Sequence, residues 1–119
     1  MKKTLVIGAS TNPDRYSFKA IHSLRNYGYS VVAFGLRNGS VGDTEIATEW
    51  NPKWEIDTVT MYVNPKLQVA FYTEIIALKP RRIVFNPGTE NSEFVALLAA
   101  NSIAFENACT LVLLSIGEY

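Results

Sequence analysis

The chain has 119 residues, 48% of them hydrophobic, and its eleven basic and eleven acidic side chains cancel. That length and apolar content suit a single domain, 1–119, with a packed core, and exclude a disordered chain. The balanced charge offers no basic excess for nucleic acid or a membrane surface, and no apolar run nears the roughly 20 residues that span a bilayer. Thr4 to Gly8 (TLVIG) is a continuous apolar run, read as a first strand buried on both faces, and too short for a signal sequence. Tyr16 to Tyr27 carries Ala20, Ile21 and Leu24 at helical spacing, with Gly28 as the stop. Ser30 to Phe34 (SVVAF) reads as a second strand, Gly35 to Asp43 as a loop, and Thr44 to Asp57 as irregular chain with a short turn. Thr58 to Val63 is a third strand, Pro65 to Leu78 a helix with proline in its first turn, and Arg82 to Phe85 a fourth strand. Asn91 to Ala100 is a third helix and Ile103 to Glu106 a short fifth strand; Thr110 to Ile116 suits either a helix or a strand.

Short apolar strands alternating with helices predict right-handed crossovers and a parallel sheet. The expected architecture is α/β: a Rossmann-like, doubly wound parallel sheet of about five strands with helices on both faces. Ligands of such folds sit beyond the carboxyl ends of the strands, where the strand order switches. That rule gathers the loop after Gly8, the turn after Phe34, the Val63-Asn64-Pro65 segment and Asn86-Pro87-Gly88 into one candidate site.

The first of these loops reads Gly8-Ala9-Ser10-Thr11-Asn12-Pro13, which is not the G-x-G-x-x-G of a dinucleotide site. Gly8 permits a sharp turn and close backbone approach to a ligand. Ser10 and Asn12 supply short polar side chains, Ser17 sits at the helix start as a cap or phosphate contact, and Arg15 adds charge. Free amides and the helix dipole would favour an anion there, although a capped helix after a tight turn would have the same composition. At the end of the second strand an NAD site carries an acid that accepts from the ribose hydroxyls. Here the stretch is Phe34-Gly35-Leu36-Arg37, and a cation at that point suits a phosphorylated ribose. NADP and coenzyme A both carry one.

These residues bring a family into view. Val-Ile-Gly-Ala-Ser-x-Asn-Pro-x-Arg-x-Ser at Val6 to Ser17, Gly35-Leu36-Arg37 after the second strand, Asn86-Pro87-Gly88, and Glu106-Asn-Ala-Cys109 together resemble the small stand-alone CoA-binding domain proteins. The resemblance covers essentially the whole chain, and the fold it implies is that of the N-terminal domain of the succinyl-CoA synthetase alpha subunit. It implies that Gly8, Ala9, Ser10 and Asn12 cradle a pyrophosphate and that Arg37 stands near the 3′-phosphate of CoA. It further implies that Val63 and Asn86 to Gly88 line the pocket. Family members often carry Asn-Pro followed by a cation after the second strand, whereas this chain has Gly35-Leu36-Arg37.

No catalytic machinery is evident. His22, the one histidine, lies inside the first helix, far from any Ser-His-Asp arrangement. One Cys and one His far apart make no metal site. Cys109 is the one candidate nucleophile, and Glu106 a candidate base; both have plainer readings as a small buried residue and a strand-end residue. Tyr16, Tyr29, Trp50 and Trp54 are aromatic groups able to stack on adenine, and the two tryptophans equally suit hydrophobic anchors. The reading is therefore non-catalytic binding of CoA or an acyl-CoA, with an NADP-dependent oxidoreductase or another nucleotide-using enzyme as the alternative. The single cysteine rules out an intrachain disulfide and suits a reducing cytoplasm. The expected partner is a small nucleotide ligand, with no nucleic acid and no membrane; no feature names a protein partner.

Overall fold

In the computed structural model, which describes residues 3–119, alternation along the strands decides which helix each side chain meets. In β1 (Lys3–Ile7), Leu5 and Ile7 face one side of the sheet and Val6 the other. Leu5 and Ile7 join Val59 and Met61 of β5 (Thr58–Met61) and Ile83 and Phe85 of β6 (Arg82–Phe85). That layer is closed by Ile75 of α3 (Tyr72–Leu78) and by Phe94 and Leu98 of α4 (Ser92–Ala100). On the opposite face, Val6 and Ala33 of β2 (Ser30–Phe34) meet Ile21 and Leu24 of α1 (Tyr16–Asn26) and Leu114 of α5 (Thr110–Ser115). Helices thus cover both faces, as expected.

Among the described residues the sheet has seven strands rather than about five, in the order β3-β4-β2-β1-β5-β6-β7. The two unforeseen strands are β3 (Gly39–Val41) and β4 (Thr44–Ala47), which form an antiparallel hairpin in chain read as loop and irregular segment. Their two-residue turn, Gly42-Asp43, carries glycine at φ 59°, a turn signal that strands of three and four residues are too short to support. β4 then lies parallel to β2, and every remaining neighbour pair is parallel, including β6 with β7 (Ala104–Asn107).

The helix expected over Pro65 to Leu78 is broken into α2 (Pro65–Gln68), a 3-10 turn at Val69–Phe71, and α3. The break lets Gln68 turn fully into the protein while Phe71 packs on the sheet. Thr110–Ser115 is helical, which decides the ambiguity left there. Trp50 and Trp54 pack edge-on against Phe34, at 5.2 and 6.1 Å between ring centroids, with Phe71 alongside. They anchor the segment between β4 and β5 as hydrophobic plugs.

The chain steps outward from β1 to β2 in one direction and then to β5 in the other. The switch in strand order therefore falls between β1 and β5, beside the loop that follows Ile7.

Candidate functional site

Gly8 turns the chain at φ +96°, and a Cβ there would lie 3.0 Å from the Tyr62 carbonyl carbon and from Val63 Cγ1. The loop after β1 and the loop after β5 are thus in backbone contact, which only glycine allows. The amides of Gly8 and Ala9 both donate to the Phe34 carbonyl, at 2.9 and 3.0 Å. Ser10 Oγ accepts from the Asn12 amide at 3.1 Å, and Asn12 Oδ1 accepts from the Asp14 amide at 3.0 Å. Those two side chains fold the loop on itself.

The donors left over are the informative ones. Arg15 stands at the N-cap of α1 with no side-chain cap, and the first turn of this eleven-residue helix holds no acid. The amides of Ser10, Thr11, Tyr16, Ser17 and Phe18 find no acceptor among the described residues. Unfilled amides beside the positive end of a helix dipole favour an anion. Arg15 and Arg37 are exposed, and neither guanidinium makes an ion pair or hydrogen bond with a described residue. Ser17 is buried in the same turn.

The other sequence-predicted residues gather at the same end of the sheet in different roles. Gly35 is buried, and a Cβ there would run into the Ala9 carbonyl oxygen. It lets the end of β2 lie against the loop. Leu36, just before Arg37, is 94% exposed, an unusual state for leucine. Val63 is half-buried. Pro87 and Gly88 are exposed, while Asn86 is buried with its side chain turned inward. Asn86 Nδ2 donates to Thr60 Oγ1 and to the Met61 carbonyl, at 2.7 and 2.8 Å, and Oδ1 accepts from the Thr110 amide at 2.9 Å. Asn86 therefore caps α5 and ties β5 to β6.

The family model of a CoA binding domain matches residues 2–115. The chain belongs to the CoA binding domain family. Membership supports CoA binding in general. A solved structure described only as an uncharacterized protein is 41% identical, with a TM-score of 0.96, and the match covers 100% of this chain and 98% of that one. A protein from Thermus thermophilus is 21% identical at a TM-score of 0.86, covering 99% of this chain and 90% of the other. A hypothetical protein from Pyrococcus horikoshii is 22% identical at 0.84, covering 93% and 80% respectively. The last two show the fold alone. No curated protein matches the chain.

Residues that the sequence reading passed over brace this CoA-binding domain. Gln68, fully buried, donates from Nε2 to the carbonyls of Val63 and Thr89, at 2.9 and 2.8 Å. Its Oε1 accepts from Asn91 Nδ2, which also donates to Tyr72 Oη, while Asn91 Oδ1 caps α4 at the Phe94 amide. The loops after β5 and β6 are thus one hydrogen-bonded unit. Asparagine before a helix was a readable cap signal; a glutamine in the first turn of a helix gives none. His22 is exposed on α1, its ring against Phe18 at 4.8 Å, and Cys109 is half-exposed at the N-cap of α5. A groove of about 540 Å³ opens beside β2 and β4, lined by Lys3, Arg25, Asp43, Glu45 and Trp54 among others. Of the residues singled out in the sequence it takes in Trp54 alone, and none of the loop, Arg37 or Asn86-Pro87-Gly88 positions.

Tyr62, just past β5, hides its hydroxyl between the sheet and α5. The neighbouring Thr60 and Thr110 hydroxyls bond each other at 2.8 Å, and the Tyr62 oxygen is buried with no hydrogen-bond partner among the described residues. Burial pushes its pKa up to about 12, opposed in part by those two hydroxyls. The raised value means that the folded state holds the phenol proton more tightly than the unfolded state. The associated stability is intact below the ordinary value near 10 and is lost as pH rises from there through about 12. Tyr62→Phe removes a buried orphan hydroxyl, so at pH 7 the variant should match the parent or gain up to about 1 kcal/mol. Above pH 10 its stability should fall less steeply than the parent's. Urea denaturation at both pH values checks this, and a large loss at pH 7 would mean that the hydroxyl has a partner.

Proposed function

We propose that this domain binds CoA or an acyl-CoA as a ligand, without a chemical step of its own. The pyrophosphate rests on the Gly8–Asn12 loop and the start of α1, with Arg15 and Ser17 at its margin. Arg37 meets the ribose 3′-phosphate, and Gly35, Val63 and the Asn86-Pro87-Gly88 turn border the ligand. One observation carries this reading: a helix with no side-chain cap and no acid in its first turn, whose three free amides join those of Ser10 and Thr11 in the preceding loop, all five without an acceptor among the described residues, at the strand-order switch of a CoA binding domain. Two of the loop's amides are spent on Phe34, so the anion is held by Ser10, Thr11 and the first turn of α1 rather than by Gly8 and Ala9. The exposed Leu36 beside Arg37 offers an apolar surface for an adenine ring.

The assignment of Arg37 has a selective test. A charge-assisted contact to a phosphate contributes about 1.5–3 kcal/mol. Arg37→Ala should weaken CoA at least tenfold and leave dephospho-CoA unchanged, because dephospho-CoA lacks the group Arg37 meets. Calorimetric titration of both ligands into both proteins measures it, with NADP as a third ligand. Equal loss for CoA and dephospho-CoA would remove Arg37 from the 3′-phosphate. Tighter binding of NADP than of CoA by the parent would defeat the CoA reading itself.

A further inference from the structure

Among the described residues nothing pairs with the outer edge of the last strand. β7 is hydrogen-bonded to β6 alone, in parallel register with Phe85 opposite Asn107. The Ala108 amide donates to the Phe85 carbonyl at 3.0 Å, which fixes the alternation. Glu106 and Ala108 turn their backbone groups toward β6, and Phe105 and Asn107 turn theirs outward, where no strand meets them. Natural edge strands are usually blunted by proline, lysine, a bulge or a covering loop. The segment Ala104-Phe105-Glu106-Asn107 has neither proline nor lysine, and its run is regular.

The surface around this edge is equally unguarded. From Phe94 to Gly117 the only charged residue is Glu106, and that carboxylate already faces Arg82 Nη1 at 3.5 Å. On one face of the edge stand the exposed Leu97 of α4 and Phe105; on the other stand the exposed Val112 and Ile116 of α5. Ala96, Ala99 and Ala100 of α4 are exposed as well. A solvated surface normally carries charge on about a quarter of its residues, so a stretch this apolar and this neutral has the character of an interface.

We infer that β7 pairs antiparallel with β7 of a second copy across a two-fold axis normal to the sheet, joining two sheets edge to edge. A second copy fits this edge: it presents the same unpaired backbone groups and the same apolar neighbours, and the one charge of each surface, Glu106, is held by its own Arg82, so two such surfaces meet without net repulsion. The two-fold keeps like faces together, so directly opposite residues must share a face, and that leaves two central registers. One centres on Glu106 and sets two carboxylates opposite each other in the closer kind of pair, which is unfavourable. The other centres on Phe105, whose outward N–H and C=O bond their counterparts in the second copy. It sets the two Phe105 rings together beside Leu97, and it places Ala104 of each copy opposite Glu106 of the other.

That last pairing gives a charge test. Ala104 is exposed, so neither a glutamate nor a lysine there should disturb the fold. Sedimentation velocity of the full chain from about 5 to 200 μM should show the parent dimerising reversibly. Ala104→Glu, which places one carboxylate opposite Glu106 in each of the two symmetry-related pairs, should raise the dimer dissociation constant about tenfold or more, while Ala104→Lys should leave it unchanged or lower it. Melting temperatures of both variants should match the parent's. A parent that stays monomeric throughout would overturn the proposal, and so would a dimer that responds alike to both substitutions, because it would use another surface.

Discussion

Asn86→Ala is expected to destabilise the protein by about 3 kcal/mol, with a melting temperature lower by on the order of 10 °C. The asparagine is 2% exposed, and three hydrogen bonds end on its side chain. Truncation leaves the Thr110 amide, at the start of α5, without its acceptor and the Met61 carbonyl without a side-chain donor, both in the interior. Buried groups stripped of a partner cost about 1–3 kcal/mol each, and the space left behind adds a cavity term. Asn86→Asp keeps the acceptor for Thr110 but loses both donated bonds and points a carboxylate at the Met61 carbonyl. It should therefore be no better than alanine at pH 7. Thermal unfolding of the three proteins measures this directly. A loss under 1 kcal/mol for Asn86→Ala would mean that the side chain is exposed to solvent and free to meet a ligand.

Gly35→Ala should be nearly as costly for a steric reason. The backbone at Gly35 is in a conformation open to any residue, but an added Cβ would collide with the Ala9 carbonyl oxygen. Ala9 cannot simply retreat, because its amide and that of Gly8 are both bonded to Phe34 just before the glycine. Overpacking of this kind costs about 1–3 kcal/mol. The displaced atoms belong to the loop proposed to carry the pyrophosphate, so the thermal protection given by CoA should shrink along with the melting temperature of the free protein. Asn86→Ala, by contrast, should lower stability while leaving most of that protection in place. A Gly35→Ala protein with parental melting and parental CoA protection would refute the close approach of β2 to the loop.

The difference between these two residues shows what could be read in advance. Both were placed in the candidate site from the sequence, and both stand at the carboxyl ends of the strands. Strand runs such as TLVIG and RIVF, bounded by glycine or Asn-Pro, declared the parallel sheet because full burial on both faces leaves an unbroken apolar signature. The hairpin did not declare itself. β3 has three residues including a glycine, and β4 alternates buried and exposed over only four. Such short strands are held by pairing, β4 with β2 and β3 with β4, which no local pattern records. Individual roles were harder still. Asn86 in an Asn-Pro-Gly turn looks the same whether its amide faces a ligand or Thr110. The amides of Gly8 and Ala9 looked as available as those of Ser10 and Thr11, until the strand order brought Phe34 beside them. Ala9 itself is only 8% exposed and packs in the core, so it is a poor place to probe a ligand by substitution.

The most direct test follows the backbone amides themselves. In a titration of the 15N-labelled protein with CoA, the signals of Ser10, Thr11, Tyr16, Ser17 and Phe18 should shift most. The Arg37 side-chain Nε–H should move with CoA but not with dephospho-CoA. Amides along β7 and those lining the groove between β2 and β4 should stay in place at sub-stoichiometric and stoichiometric ligand alike. Saturating shifts confined to that groove, or a loop after β1 that does not respond to CoA, would contradict the account.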